Sequence, residues 1–291
     1  MAGSHLVATT PRLLFTAARG AILTPWSIAG QWLVYMQYPA NDPAGSWTLA
    51  VRNLRTGRST ILDTPTQEGV PSLAAQAASD GRTVVWQSWT VHHGQTTSVI
   101  RAYDLVTGHR RLLIEGGGMT MWSYAWLDVS GRWVVFEKET PDRQSPHGQI
   151  LLDNLDTGRV QALTPAAAAN SEPAISGDLV IWKNTWRFAA GHGVGVYNVR
   201  TGAQVTLAGA NVEQPKVTFG RYVVFPTGNP FHVQLYDVQT HVSTTLAGPR
   251  PDGYQPGNVV LVGGHAVAFI LAKFTTTTKP FPTRLVVTQL P

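Results

Sequence analysis

A five-residue phrase, Asx-Leu/Val-x-Thr-Gly, recurs along this chain and constrains its fold more than any other feature. It reads Asn53-Leu54-Arg55-Thr56-Gly57, Asp104-Leu105-Val106-Thr107-Gly108, Asn154-Leu155-Asp156-Thr157-Gly158 and Asn198-Val199-Arg200-Thr201-Gly202. A degenerate fifth copy is Asp237-Val238-Gln239-Thr240-His241. The threonines stand 51, 50, 44 and 39 residues apart. Asx opens such a turn because its side chain accepts a backbone N–H two residues on, and Gly supplies the positive φ of a bulged hairpin. His241 in the Gly position predicts a left-handed residue strained by about 1 kcal/mol.

Each phrase lies in a unit with four strand signals. In the clearest, Glu172–Ser176 is a short inner strand and Gly177-Asp178 a tight turn. Leu179–Trp182 follows as a β-branched, aromatic strand, then a polar loop, strand Val194–Val199, the Thr-Gly turn and an outer strand through Leu207. The second strand repeats as Trp32–Tyr35, Thr83–Trp86, Trp133–Phe136, Leu179–Trp182, Tyr222–Phe225 and Ala266–Ile270. A repeat of about 40–50 residues holding four strands is the pattern of a β-propeller. The reading is all-β, a six-bladed propeller forming one domain, with blades near 22–64, 65–115, 119–165, 171–208, 213–247 and 254–291. The sixth unit ends after a third strand, Arg284–Leu290, so Arg12–Thr16 is expected to supply its outer strand and close the ring.

Composition agrees. Charged residues are only 13% while Gly and Pro number 28 and 19, a turn-rich profile unlike coiled coil or disorder. The net charge of +5 is too small to point to nucleic acid. With no cysteine, disulfides, thiolate metal sites and a Cys nucleophile are excluded. No uninterrupted apolar stretch is long enough to span a membrane, and the first residues lack the pattern of a signal peptide.

The phrases Pro-x-Ile-Ser-Gly-x-x-Val-x-Trp at Pro173–Trp182 and Val-Tyr-Asn-Val-x-Thr-Gly from Val196, with an outer strand reaching Leu207, resemble the TolB-like propeller repeats of cell-envelope proteins. Ser79-Asp80-Gly81 and Ser130-Gly131 echo that family's turn. The chain lacks the Trp-Asp pairs of WD repeats and the strand-two diglycine of kelch repeats. The resemblance implies a six-bladed propeller usually acting through binding, often outside the cytoplasm; a cytoplasmic location stays open, and the chain is expected to be a monomer. Relatives of that architecture include lyases and hydrolases.

In a propeller, the loops between strands two and three and those between units share one face. Here they are long and unlike one another: 87–98, 137–148, 183–193, 226–232 and 273–282. Expected ligand-binding residues are Trp89, His92, His147, Trp186, Arg187 and His232 on these loops, with Glu68, Trp122, Glu213, Gln214, Tyr254 and Gln255 toward the channel mouth. Gly116-Gly117-Gly118 reads as a flexible link between units. Three readings compete for this face: a plain solvated surface, a site for a carbohydrate or peptide, and an enzyme. The binding reading needs no cofactor. In the enzyme, a lyase or hydrolase, Glu172 and His192 would be catalytic, with a divalent metal as the alternative aid. No nucleophile-elbow or His-x-x-x-His spacing supports it.

On the opposite face, Arg55, Arg58, Arg110, Arg111, Arg159 and Arg200 flank the Thr-Gly turns, and Arg82, Arg132 and Arg221 follow the turns between strands one and two. The plain reading is a solubilising surface opposed by few acids, Asp80, Asp156 and Asp178. The sharper one is a dock for an anionic partner.

Overall fold

The computed structural model describes residues 21–39, 47–64, 76–92, 95–118, 123–140, 147–166, 168–184, 193–208, 215–218, 220–228, 232–251, 255–262, 266–272 and 283–289. These residues form six antiparallel sheets in chain order. Sheet one holds β1 (Ala21–Ala29), β2 (Trp32–Pro39), β3 (Thr48–Asn53) and β4 (Ser59–Asp63). Sheet two holds β5 (Ala77–Ser79), β6 (Thr83–His92), β7 (Gln95–Asp104) and β8 (Arg110–Gly118). Sheet three holds β9 (Ser123–Ser130), β10 (Trp133–Thr140), β11 (His147–Asn154) and β12 (Arg159–Ala162). Sheet four holds β13 (Ser171–Ser176), β14 (Leu179–Lys183), β15 (Gly193–Asn198) and β16 (Gln204–Ala208). Sheet five holds β17 (Lys216–Thr218), β18 (Tyr222–Thr227), β19 (His232–Asp237) and β20 (Val242–Ala247). Sheet six holds β21 (Gln255–Val262), β22 (Ala266–Ala272) and β23 (Thr283–Gln289). Neighbours in sequence pair within every sheet. The segment 12–16, expected to complete sheet six, lies outside the described residues.

The repeated phrase builds the turn between strands three and four as its chemistry dictates. Each Asx Oδ1 accepts N–H groups two or three residues on at 2.8–3.0 Å. The fifth residue donates its N–H to the Asx carbonyl at 2.7–2.9 Å. That residue has φ of 73°, 74°, 67° and 72° at Gly57, Gly108, Gly158 and Gly202, and 59° at His241. His241 thus holds the left-handed conformation without glycine's freedom, and its Nδ1 is 2.8 Å from the Tyr236 hydroxyl. The residue after each Asx donates to a carbonyl in the same sheet's first turn, as Val199 does to Asp178 at 2.7 Å. Both short turns of a sheet therefore lie at one end, the turn face, and the longer connections lie at the other.

Packing follows strand alternation. In strand two of sheets two to four, the residues of one parity face the preceding sheet and those of the other face the next. Tyr35 faces away from sheet two, Trp86 packs on Val34, Leu49 and Val51, Phe136 joins Val85 and Ile100, and Trp182 joins Val135 and Ile150. Phe225 closes on Ile181 and Val194 in the same way. Trp86 and Trp182 are each 1% exposed, which stabilises the stack by about 3 kcal/mol apiece. The Trp86 indole N–H donates to Asp63 Oδ2 of sheet one at 2.7 Å, so its polar atom is not left orphaned.

Side chains also join successive sheets at their inner edges. Gly131 N–H donates to Asp80 Oδ2 at 2.8 Å, Gly177 N–H to Ser130 Oγ at 2.9 Å, and Gly220 N–H to Ser176 Oγ at 3.2 Å. Ile175 N–H donates to Asp128 Oδ2 at 3.0 Å. Between sheets one and two, where Ala29 offers no oxygen, Ser27 Oγ instead accepts from Ser79 N–H at 3.2 Å.

Two expectations are corrected. Residues 87–98 are not a loop: β6 and β7 run on as a hairpin, paired from Gln87 with Ile100 to His92 with Gln95. Its threonine- and β-branched-rich arms extend the ladder past the aromatic that marks strand two elsewhere. Gly116-Gly117-Gly118 is not a link but the end of β8, where Thr97 pairs with Gly118 and Ser98 with Gly116 across a register shift. The longer β7 gives those glycines a partner strand.

Two glycines separate backbone strain from packing. A methyl at Gly202 meets nothing within 4 Å, whereas one at Gly195 would lie 2.1 Å from the Trp182 ring. Urea denaturation should show G202A destabilised by about 1 kcal/mol, from φ alone. G195A should lose about 3 kcal/mol, because Trp182 must leave its place.

Candidate functional site

Buried polarity is concentrated at one end of the sheets. Of the twelve buried polar residues among the described ones, Gln87, Ser88, Ser98, Glu137, Thr164, Asn170, Ser171, Glu172 and Lys183 lie toward the loop face; Asn53, Thr83 and Asp153 lie toward the turn face. The nine occupy sheets two to four and the connection between three and four.

Their placement has a simple origin in register. One residue past the strand-two aromatic stand Met36, Gln87, Glu137, Lys183 and Pro226 in sheets one to five, each on the parity that faces the next sheet. Three consecutive sheets thus replace an apolar residue with an amide, a carboxyl and an ammonium. Glu137 and Lys183 are both 0% exposed. Burial of such groups costs several kcal/mol unless hydrogen bonds or opposite charges offset it.

The inner strands meet these groups with bulges. In β13 the register shifts between Ser171 and Ala174, leaving Glu172 at φ 56° with its N–H turned out of the ladder. That N–H donates to Glu137 Oε2 at 3.2 Å. The same device stands one sheet earlier: β9 shifts opposite Val135 and Glu137, Trp126 has φ 43°, and its N–H donates to Gln76 Oε1. The approach to Glu172 also packs close. Gly148 N–H donates to Ala168 O and Asn170 N–H to Gly148 O, both at 3.0 Å. A methyl at Gly148 would lie 1.9 Å from Asn170 O and 2.8 Å from Glu137 Oε1.

Among the residues predicted for this face, Glu172 is buried between sheets three and four. Trp89 is half-buried on β6 opposite Ser98, and His92 ends that strand. His147 opens β11, paired with Thr140, and Gln255 opens β21, paired with Ala272. His232 opens β19 and is half-buried, its ring beside Gly248, where a methyl would come within 2.9 Å of Cδ2. Glu68, Trp122, Trp186, Arg187, His192, Glu213, Gln214 and Tyr254 lie outside the described residues. Among the described residues, no three His, Cys, Asp or Glu side chains gather as a metal site. Gln76, Gln87, Glu137 and Lys183 escaped the sequence reading, although aligning the strand-two segments one residue further exposes the last three.

The turn face is more evenly balanced than its arginines imply. Arg200 meets Asp178 at 3.4 Å, Arg82 meets Asp104 and Arg132 meets Asp156 at 3.9 Å. Arg221 grips Asp237 with two hydrogen bonds, of 2.9 and 2.6 Å. Two of these acids, Asp104 and Asp237, are the Asx of the repeat, which therefore caps a turn and balances a cation together. The paired Arg221 guanidinium holds the Asp237 carboxyl far below the usual carboxylate range, helped by the Gln239 N–H. The Thr107 N–H lowers that of Asp104, with Arg82 adding to it.

Two outcomes follow. Because Asp237 is depressed in the folded state, its contribution is complete above the ordinary carboxylate value of about 4 and fades as pH falls below it. Denaturation at stepped pH should show D237N less stable than wild type near neutrality, with the gap closing in acid. At the loop end, E137Q keeps an oxygen for the Glu172 N–H while E137A removes it. Thermal and urea melts should place E137A below E137Q by about 1–3 kcal/mol.

No family model matches the sequence, and no curated protein matches it. Solved structures do. A prolyl endopeptidase matches over 94% of this chain and 43% of its own, at 12% identity and a TM-score of 0.64. An acylaminoacyl peptidase of Pyrococcus horikoshii matches over 93% and 46%, at 12% identity and 0.62, so the chain spans less than half of either peptidase. An oligogalacturonate lyase, solved in complex with manganese, matches over 89% and 71%, at 13% identity and 0.52. At such identities the likeness is one of fold. Its successive antiparallel sheets, packed face to face in chain order, give this chain the β-propeller fold.

Proposed function

We propose that this chain is a monomeric six-bladed propeller whose loop-rich face binds a ligand, a carbohydrate or a peptide, outside the cytoplasm. The observation that carries this reading is the one-sided burial of polar groups beneath that face in sheets two to four. The short-turn end is built of repeated turns that satisfy their own backbone groups. The other end holds Gln87, Glu137 and Lys183 at equivalent register positions, behind the extended β6–β7 hairpin that carries Trp89 and His92. A rigid polar floor with aromatic and imidazole groups at its rim is suited to fixing the orientation of a polar ligand, the ring supplying area and the floor supplying register. Glu68, Trp122, Trp186, Arg187, Glu213, Gln214 and Tyr254 belong to the same proposed face, with His147, His232 and Gln255 at its strand ends.

Closure of the ring is part of the proposal. Five sheets have four strands, while β23 pairs only with β22 among the described residues. The segment Arg12-Leu13-Leu14-Phe15-Thr16 has the character of an outer strand such as Arg110-Arg111-Leu112-Leu113-Ile114 and would cover that edge. Deleting residues 1–16 should lower the thermal midpoint and promote association through the bared edge, read by light scattering. An unchanged melt would remove the closure from the reading.

The binding claim is tested by screening immobilised oligosaccharides and short peptides, then repeating the best hit with W89A and H232A. Each should weaken binding by about tenfold, a loss of ~1.4 kcal/mol. R58A on the turn face serves as a control and should bind as wild type. Wild-type affinity in both loop-face variants would sink the reading. Turnover of the hit, lost on chelation or in E172A and H192A with binding retained, would replace a binding module by an enzyme.

A further inference from the structure

A cleft opens on the turn face, between sheets two and three. It has a volume of about 480 Å³ and is lined by Thr83, Ala102, Asp104, Thr107, His109 and Arg111 of sheet two and by Leu155 and Asp156 of sheet three. Its wall is fixed by Arg111, whose Nη1 donates to Leu155 O at 2.6 Å across the junction. Among the described residues that carbonyl is the one hydrogen-bond acceptor of this exposed guanidinium, and the buried Asp153 carboxyl is its charge partner. Beside the floor, Asp153 shares a side of the chain with Leu151 of β11 and Leu155 of the following turn, which pack on sheet two. Asp153 is 2% exposed, and its Oδ1 has no hydrogen-bond partner.

We propose that this cleft is a binding site for the side-chain carboxylate of an acidic peptide, clamped on Arg111. The guanidinium fork matches a planar carboxylate bidentately. The rim favours one negative charge over two: Asp104 and Asp156 flank the opening, each partly balanced by Arg82 and Arg132 at 3.9 Å. Those two arginines are 76% and 61% exposed and extend the positive approach outward. A dianionic phosphate would meet both rim carboxylates at twice the repulsion.

Asp153 makes the site responsive to pH. Its burial pushes the carboxyl up and Arg111 holds it down. An anion that engages Arg111 draws this counter-charge away, and Asp153 takes up a proton from solvent. Binding therefore strengthens as pH falls. The other titratable groups lining the cleft are Asp104, Asp156 and the His109 imidazole, with Arg82 and Arg132 paired to those two carboxylates; Asp128 of sheet three faces the other way, toward Ile175.

Fluorescence anisotropy with a labelled hexaglutamate peptide tests the assignment on the full chain. Wild type should bind more tightly at mildly acid than at mildly alkaline pH. R111K, which keeps charge but loses the fork, should bind about tenfold more weakly. The near-isosteric D153N should bind at alkaline pH as tightly as wild type does in acid, with little pH dependence left, while H109Q retains that dependence. Wild-type affinity in R111K, or a wild-type pH profile in D153N, overturns the proposal. So does displacement of the peptide by inorganic phosphate at lower concentration than by the singly charged N-acetylglutamate α-amide, or tighter binding of hexalysine. W89A, on the opposite face, should leave this binding unchanged, which keeps the test separate from that of the loop-face site.

Discussion

The inner edges of these sheets depend on one kind of contact: a backbone N–H of one sheet given to a side-chain oxygen of the sheet before it. Gly131, Gly177 and Gly220 do this at the turn end, Ile175 in mid-strand, and Trp126 and Glu172 at the loop end. An inner strand has a ladder partner on one side only, so its outward N–H groups would otherwise be orphaned, at a cost of about 1–3 kcal/mol each. Hydrophobic stacking of Trp86, Phe136, Trp182 and Phe225 on the preceding sheet holds the sheets together. The directional polar contacts fix how they are rotated and stepped.

The two ends of the sheets solve different problems. At the turn end, each Asx-Thr-Gly phrase satisfies its own backbone, and two of the Asx residues neutralise an arginine as well. That end is repetitive because local hydrogen bonds complete it. At the loop end the bulges at Trp126 and Glu172 break the ladder and route backbone donors to Gln76 and Glu137. Strain and buried charge are held where sheets differ from one another.

Much of this architecture was legible in the sequence because its signals are local. The Asx side chain, the Thr hydroxyl and the Gly φ act within five residues, so the phrase located the turns and forecast the left-handed His241. The strand-two aromatics located the inter-sheet packing. The loop end resisted for the opposite reason. Whether Gln87–Ser98 is loop or hairpin depends on cross-strand pairing that polar, threonine-rich arms do not advertise. Glu137 and Lys183 look like ordinary strand-end charges until the neighbouring sheet covers them. On the turn face, counting arginines overstated the net field, because their partners Asp104 and Asp237 had been read only as turn residues.

The serine and aspartate contacts at the turn end run one way around the molecule. Ser130 serves the glycine of the unit after it, and Ser176 does the same for the next. A unit copied whole therefore arrives with a donor facing backward and an acceptor facing forward. Gene duplication can add or remove such a module without inventing a new joint.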